Sequence, residues 1–226
     1  LALERGRIGE PLACSGHVSP DVWEYVPDGA REGLLQNEVY GARFHAGGPD
    51  ARAYRFYKRE PASNVLDRVG LDRALADAAR RAGADVREGW TVPDLSEGAD
   101  CAVLAATADG TERTIETRLV AGCDGPTSRV RRAVSLPEPD ELLRGVLGFA
   151  DEPDDGDHVD VHLTPPRFFA WRIPRGEAGV EYGLAAPPDA LDGGDDLDAR
   201  LDDLAAGYGA RVERRCAGLI PIGPPG

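Results

Sequence analysis

Apolar and polar positions follow two different patterns along the chain. Up to Val134, short apolar runs are separated by one long helical face, whereas beyond it apolar runs of strand length alternate with acidic turns rich in glycine and proline. Strands interspersed with helices are typical of an α/β domain, and successive strands joined by turns are typical of an antiparallel sheet. We therefore predict an α/β region followed by an antiparallel sheet.

The clearest helix of the first region has a face of leucine and alanine. Apolar residues recur three and four positions apart from Leu71 to Ala82, Asp72 lies in the first turn, and Gly83 follows as a stop signal. Around this helix the pattern predicts a strand at Leu1–Glu4, a short helix at Asp21–Val26 capped by Ser19, two strands between Leu34 and Tyr57 joined by a turn at Gly47–Asp50, a strand at Ala84–Arg87, and a meander through Cys101–Ala106 and Arg113–Glu116.

The first region ends in a strand, a turn and a helix. Leu119–Ala121 is an apolar run that predicts a buried strand, Asp124 and Gly125 form a tight turn, and Pro126 suits a first helical position before a short basic helix. The carboxyl ends of strands in open α/β sheets are where ligands bind. Asp124 could accept hydrogen bonds from ribose or ribityl hydroxyls there, and Gly125 would let the backbone approach a ligand closely.

The second region predicts an antiparallel sheet with one amphipathic helix. The helix is indicated by Leu197, Leu201 and Leu204, whose other face is rich in aspartate. The strands are predicted at Leu143–Ala150, Val159–Leu163, Phe168–Ile173, Val180–Ala185 and Arg211–Leu219.

Composition limits the classes of function. The 226 residues contain 40 Asp and Glu against 26 Lys and Arg, a net charge of −14, and no basic stripe, which argues against a nucleic-acid partner. Strongly acidic surfaces are typical of salt-adapted proteins, so we expect this protein to function in a high-salt cytoplasm. Four widely spaced cysteines predict reduced thiols in a cytoplasmic protein. No apolar run reaches the ~18 residues of a membrane span, which leaves only peripheral membrane contact.

Three stretches resemble a known family. The pattern Asp-Gly-x-x-Ser-x-x-Arg at Asp124 resembles the second FAD fingerprint of the flavoprotein reductase and aromatic hydroxylase superfamily. Leu3-Glu4-Arg5, together with Cys14-Ser15-Gly16, resembles the start of geranylgeranyl reductases, and the segment from Pro166 to Pro174 resembles their substrate motif Pro-x-x-Tyr-x-Trp-x-Phe-Pro. The family's Gly-x-Gly-x-x-Gly and Gly-Asp motifs are missing, so we expect the chain to be a fragment.

The resemblance implies a fold and a cofactor. The fold would be a Rossmann-like FAD-binding domain of the glutathione-reductase and hydroxylase type, incomplete, with an antiparallel substrate domain. The FAD-binding domain would comprise residues 1–34 and 65–135, and the substrate domain residues 35–64 and 136–226. The residues implied to contact FAD are Glu4, Arg5, Val92, Asp124 and Gly125.

The same resemblance implies a reaction, which is reduction of C=C bonds in the isoprenoid chains of lipids. Cys14 is then the candidate that relays a proton near the flavin, and Phe169, Trp171, Ile173 and Pro174 would form an apolar trough for the chain. Phe169 and Ile173 replace the Tyr and Phe of the family motif, which leaves the particular lipid open. The electron donor would be external, either NAD(P)H or ferredoxin.

Other interpretations of the sequence stay open. The Asp-Gly fingerprint is shared with FAD- and NAD(P)H-dependent monooxygenases, and the missing termini would also suit a non-catalytic, truncated module. Trp171 could be a core residue. His158, Asp160 and His162 share one strand face and could hold a metal, but we expect that polar face to be solvated and predict no metal site.

Overall fold

Strands dominate the structure, a computed structural model that describes residues 1–12, 14–46, 52–163, 169–188 and 196–223. The first strands are β1 (Ala2–Glu4), β2 (His17–Val18), β3 (Leu35–Val39), β4 (Gly41–His45), β5 (Ala53–Tyr57), β6 (Ser63–Leu66) and β7 (Val86–Glu88). They are followed by β8 (Trp90–Glu97), β9 (Ala102–Ala108), β10 (Thr111–Thr117), β11 (Glu141–Ala150), β12 (His158–His162), β13 (Ala170–Pro174), β14 (Val180–Ala186) and β15 (Arg214–Ile222).

Helices connect the strands of the first half and cover the sheet of the second. They are a 3₁₀ helix at Pro20–Glu24, α1 (Arg31–Leu34), α2 (Arg68–Arg81), α3 (Arg129–Ala133) and α4 (Leu197–Gly207). Ser19 caps the 3₁₀ helix, as its sequence indicated, by accepting a bond from the amide of Asp21. Among the described residues, none of these helices is long and apolar enough to cross a bilayer.

The α/β part forms around α2. β1 runs parallel to β7, and β8, β9 and β10 form a meander beside them. β9 and β10 were predicted, whereas the third strand is β8 rather than the expected return strand after β10. Leu71 of α2 is buried against Leu34 and Leu66, which explains why the apolar face of this helix was readable in the sequence. This arrangement brings Glu4 to the carboxyl end of β1.

Two details of the Asp124 segment differ from the sequence prediction. Residues 119–123 are not a strand, because no other described segment forms a ladder of backbone hydrogen bonds with them. Pro126 lies in the turn rather than at the first helical position, because α3 begins only at Arg129 with Ser128 as its N-cap. The carboxylate of Asp124 binds the first free amides of the helix, those of Arg129 and Val130.

A seven-stranded sheet in the order β15-β11-β14-β13-β12-β4-β5 forms the second part. This sheet was predicted to be antiparallel, but it contains one parallel pair, because β4 runs parallel to β12. A parallel pair needs a long connection, which the chain between His45 and His158 supplies. The turn predicted at Gly47–Asp50 lies outside the described residues, although β4 and β5 on either side of it pair antiparallel.

The two faces of this sheet contact different elements. On one face α4 buries Leu201 and Ala205 against Tyr182 and Leu184. On the other face Val39 and Val65 pack against Val159 and Ile173, so that the small sheet β2-β6-β3 lies over it. Gly16 beside β2 has φ +73°, and a Cβ there would lie 2.2 Å from the carbonyl oxygen of Leu66, so only glycine lets these segments approach.

The predicted fold class, α/β with an antiparallel sheet region, is confirmed by this architecture and by the family match described below. The predicted division at residues 34, 64 and 135 stays a prediction. β4 and β5 of the inserted segment join the large sheet, whereas β3 and β6 pair with each other beside β2.

Candidate functional site

A cleft of about 280 Å³ lies at the carboxyl end of β1. It extends from Glu4 to Cys14, and its charged lining includes Arg7, Arg68 and Asp72. In open α/β sheets this end of a strand is the usual place for a nucleotide. The cleft therefore brings together two residues that the sequence singled out separately, Glu4 and Cys14.

Glu4 has one carboxylate oxygen available to a ligand. Its Oε1 accepts a hydrogen bond from the amide of Gly6 at 2.7 Å, while Oε2 makes no hydrogen bond to any described residue. A carboxylate held in this way can accept bonds from ribose hydroxyls. Arg5, the other residue predicted here, is exposed and does not line the cleft, whereas Arg7 does.

Arg68 and Arg7 are residues of this cleft that sequence reasoning missed, and Arg68 has the more extensive contacts. Its Nη1 donates to the Sγ atom of Cys14 at 2.9 Å and its Nη2 donates to Asp72 at 3.2 Å. Its buried Nε has no partner among the described residues. The available signal was the place of Arg68 as the first residue of α2, where a side chain extends toward the end of β1, whereas the periodicity of α2 indicates only its apolar face.

The residues of the cleft fit FAD. A carboxylate with a free oxygen suits a ribose diol, and the guanidinium groups of Arg7 and Arg68 suit phosphate oxygens. The unpartnered Nε of Arg68 is a buried donor, and buried donors are rarely left without an acceptor. The carboxylate of Glu4 and the guanidinium groups of Arg7 and Arg68 therefore match the ribose hydroxyls and the phosphates of a dinucleotide.

The carboxylate of Asp124 stabilises the turn that contains it. It accepts hydrogen bonds from Ser128 Oγ and from the amide of Arg129 at 2.6 Å. Desolvation opposes ionisation of Asp124 most strongly, but these hydrogen bonds together lower its pKa, so the carboxylate is charged at neutral pH. Gly125 has φ +83° and open space around a Cβ, so the backbone angle rather than crowding requires glycine.

Val92 is linked to that turn. It lies inside β8, a strand that the sequence analysis did not predict, at a register shift between Thr91 and Asp94. Its carbonyl accepts a bond from Arg129 Nη1 at 3.3 Å. Neither Val92 nor Asp124 lines the cleft at Glu4, so their predicted contacts with FAD stay predictions.

Trp171 lies on the face of the large sheet opposite α4. Its ring rests on Gly183, where an added Cβ would be 2.3 Å from the indole, and its ring centroid is 5.5 Å from that of Phe169. Ile173 is only 4% exposed and Pro174 is fully buried, so the observed contacts of these two are those of core residues. The motif residues from Pro166 to Phe168 lie outside the described residues.

A buried polar network connects Trp171 to the loop that carries Cys14. The indole N–H of Trp171 donates to Glu181 Oε1 at 2.9 Å, and Arg175 Nη1 lies 3.3 Å from Glu181 Oε2. The same nitrogen of Arg175 donates to the carbonyl of Ser15 at 2.8 Å. The sheet face and the cleft loop are thus held together through two side chains.

Glu181 is completely buried. Desolvation raises its pKa to about 7, against the opposing effects of Trp171 and Arg175. Burial also raises the pKa of Cys216, with smaller contributions from Glu181 and Cys14. The sequence signal for Glu181 was a lone carboxylate inside the apolar run from Val180 to Ala186.

The polar face of β12 is not solvated, contrary to the prediction. Asp160 is 1% exposed and lies 2.9 Å from Arg43 Nε and 2.8 Å from His45 Nε2. Burial lowers the pKa of His162, whose Nε2 lies 2.8 Å from the hydroxyl of Tyr208. Arg43 and His45 belong to β4, and its parallel register beside β12 could not be read from local sequence. Within the described ranges no cluster of His, Cys, Asp and Glu could hold a metal ion.

A cleft at the carboxyl end of a parallel strand is the usual nucleotide site of α/β proteins, and its carboxylate and guanidinium groups indicate an FAD-binding flavoprotein. The chain belongs to the FAD binding domain family, whose model matches residues 30–163. FAD, the cofactor predicted from the sequence, is the ligand for which the family is named.

Curated relatives confirm the predicted resemblance to geranylgeranyl reductases. The chain is 29% identical over 203 residues to digeranylgeranylglycerophospholipid reductase 2 of Methanothermobacter thermautotrophicus, covering 81% of this chain and 50% of the relative. It is 26% identical over 198 residues to geranylgeranyl diphosphate reductase of Rhodobacter capsulatus, covering 82% and 49%. The chain therefore spans about half the length of the curated relatives it matches.

Solved structures show the same fold. A geranylgeranyl bacteriochlorophyll reductase-like protein from Thermoplasma acidophilum matches 98% of this chain and 59% of its own with a TM-score of 0.85 at 21% identity. A flavin-dependent halogenase matches 96% of this chain and 44% of its own with a TM-score of 0.69 at 20% identity. The fold is thus shared with flavoproteins of different chemistry.

Protonation of Glu181 should make stability depend on pH. The unfolded side chain loses its proton near 4.5 and the folded one at about 7, so the free energy of unfolding should fall as pH rises through this interval, by up to about 3 kcal/mol. Glu181→Gln should remove this slope, whereas Glu177→Gln, at an exposed turn, should keep it. Urea unfolding of the three proteins at several pH values measures the effect, and equal slopes in all three would contradict it.

Proposed function

We propose that the full-length protein is an FAD-dependent reductase that saturates C=C bonds of isoprenoid chains in lipid biosynthesis. The observation that carries this proposal is the Arg175 bridge, which holds the sheet face bearing Trp171 against the loop of Cys14 at the cleft that fits FAD. Two curated relatives are named as reductases of geranylgeranyl compounds, which supports the same substrate class.

The residues that line the cleft are proposed to contact FAD. Glu4 would accept bonds from the ribose, and Arg7 and Arg68 would neutralise phosphate oxygens. The contacts proposed from the resemblance for Arg5, Val92, Asp124 and Gly125 are added to these, with Asp124 acting at least by fixing the start of α3. When bound, FAD supplies the hydride chemistry that no protein side chain can provide.

Cys14 is proposed as the proton donor. Saturation of an alkene adds a hydride to one carbon and a proton to its neighbour, and the S–H group of Cys14 would give that proton. Because Arg68 can only donate hydrogen bonds, its contact at 2.9 Å fixes the position of the sulfur without competing for the proton that the thiol gives away. An external donor, NAD(P)H or ferredoxin, would return electrons to the cofactor.

Phe169 and Trp171 are proposed as the apolar wall for the isoprenoid chain. Both are partly exposed, and their rings contact each other. Ile173 and Pro174 would support the wall from the core rather than touch the substrate. The acidic composition and the reduced cysteines favour a cytoplasmic, salt-adapted protein that meets membranes only peripherally.

Loss of the ribose contact should weaken the binding of FAD. We expect Glu4→Ala in the full-length protein to bind FAD about 10- to 100-fold more weakly, because a hydrogen bond to a charged group contributes about 1.5–3 kcal/mol. Asp124→Ala should show a similar loss together with a less stable α3. Glu112→Ala, on the exposed strand β10, is the control, and flavin absorbance after equilibrium dialysis is the measurement. Unchanged affinity in Glu4→Ala would remove this residue from the site.

The reductase chemistry can be tested through Cys14. With a geranylgeranyl lipid dispersed in detergent and chemically reduced flavin, mass spectrometry should show the addition of two hydrogens per double bond. Cys14→Ala should lower turnover per bound flavin by about 10²- to 10⁴-fold, the usual contribution of a general acid, while Cys101→Ala should not. Oxygen consumption coupled to a hydroxylated product would show a monooxygenase instead, and full turnover in Cys14→Ala would refute its role.

The acidic surface predicts a stability that rises with salt. Between about 0.1 M and 1 M salt the Debye length falls from ~10 Å to ~3 Å, which screens repulsion among the carboxylates of a chain with net charge −14. Thermal melts in potassium chloride should therefore shift upward, whereas a non-ionic solute of equal osmolality should produce a smaller shift. A melting temperature independent of salt would exclude salt adaptation.

A further inference from the structure

Among the described residues, strand β5 is one of the two edge strands of the large sheet, and it carries an unusual set of side chains. From Arg52 to Arg59 there are four basic residues and no acidic one, in a chain whose net charge is −14. Arg52, Arg55, Lys58 and Arg59 are all exposed. Positive charge is thus concentrated on one sheet edge of an acidic protein.

These four cations differ from Arg43 and Arg172, which lie on other strands of the same sheet. Within the part of the chain that the structure describes, none of the four forms an ion pair, whereas nearby Arg43 pairs with Asp160 and Arg172 pairs with Asp154 and Asp160. An arginine in an acidic protein has many possible carboxylate partners. Four neighbouring cations without one are available to negative charge outside the chain.

Aromatic side chains alternate with the cations. Tyr54, Phe56 and Tyr57 are 62%, 48% and 58% exposed. Exposed aromatic residues interleaved with Lys and Arg are typical of surfaces that lie at the boundary between lipid headgroups and acyl chains, where the rings enter the bilayer and the cations meet anionic headgroups. A soluble acidic partner would explain the cations but not the exposed rings.

The aromatic residues also continue the candidate substrate wall. The strand registers place Gly183, Trp171, Val161, Phe44 and Tyr54 side by side on one face of the sheet. Exposure rises along this row from buried Gly183, through partly buried Trp171 and Val161, to 37% at Phe44 and 62% at Tyr54. Four steps between strands cover roughly 19 Å at about 4.8 Å each. An apolar path therefore connects Trp171 to the basic edge.

We propose that the β5 edge docks on an anionic lipid bilayer, and that the row from Tyr54 to Trp171 admits an isoprenoid chain from that bilayer. The second half of the statement rests on the proposed function, whereas the docking does not. The cations hold the edge against the headgroups, and Tyr54 and Phe56 enter the boundary on the same face as Trp171. An insoluble chain could then pass along the sheet without crossing water.

Vesicle binding of the full-length protein tests the docking. The probes are vesicles of phosphatidylcholine alone and of phosphatidylcholine with 30% phosphatidylglycerol, and flotation measures the bound fraction. The wild type should bind the anionic vesicles more strongly. Each basic residue near an anionic surface contributes about fivefold, so loss of two should weaken binding by about 30-fold, and Arg55→Glu with Lys58→Glu should weaken it by at least that factor.

The control reverses two charges elsewhere. Arg113→Glu with Arg118→Glu makes the same change in net charge at exposed positions outside the large sheet and should leave most binding intact. Tyr54→Ser with Phe56→Ser should reduce binding even in molar salt, where electrostatic attraction is screened. Flavin content and thermal melts confirm that each variant is folded. Equal binding of both vesicle types by the wild type, or an equal loss in the control, would overturn the docking.

Turnover separates this inference from the proposed function. The charge-reversal variant Arg55→Glu with Lys58→Glu should saturate a detergent-dispersed geranylgeranyl lipid as the wild type does and should lose activity only toward the same lipid embedded in vesicles. Equal activity toward both forms would overturn the entry path. If the wild type saturates neither form but still binds anionic vesicles through β5, the proposed function fails while the docking stands.

Discussion

The buried carboxylate of Glu181 is the group on which the candidate site depends. A charge in this position is costly, and among the described residues the indole N–H of Trp171 and the guanidinium of Arg175 offset that cost. Arg175 in turn reaches the carbonyl of Ser15, next to Cys14. One network therefore sets the position of an aromatic wall on the large sheet and of a thiol at the cleft, two elements that lie far apart in the chain. With a pKa raised to about 7, Glu181 also makes this link sensitive to protonation.

The alternation of side chains in the large sheet gives its two faces different chemistry. On β13, Ala170 and Arg172 point toward α4, whereas Trp171 and Ile173 point toward the small sheet. The space for the indole ring exists because Gly183 stands beside it in the register, and any larger residue there would collide with the ring. The same alternation places the ion pairs of Asp160 on the opposite face, away from the apolar row. A shift of one residue in register would exchange these faces and destroy both features.

Much of the fold, and part of the site, could be predicted from the sequence because they are encoded locally. The face of α2, the meander and the cap at Ser19 each depend on residues within a few positions of one another. The parallel entry of β4 beside β12 depends on strands more than a hundred residues apart, and it buried Asp160 where the local pattern indicated solvent. Arg68 was missed for the same reason, since its partner Cys14 is brought to it only by tertiary packing. Glu181 has its partners Trp171 and Arg175 nearby on the β13–β14 hairpin, but its complete burial depends on packing that the local sequence does not show.

The β5 edge combines a cluster of basic residues with the start of the apolar row that leads to Trp171. In a chain with net charge −14, carboxylates would repel an anionic bilayer from almost every direction, so an approach is favourable only where basic residues gather. At molar salt the attraction itself reaches only about 3 Å, and the orientation then depends on the aromatic rings that enter the boundary. Because Tyr54 and Phe56 lie on the face that leads to Trp171, the side chains that would orient the protein are also those that begin the apolar row. The register between β4 and β5 would thus account both for docking on the bilayer and for delivery of a lipid chain toward Trp171.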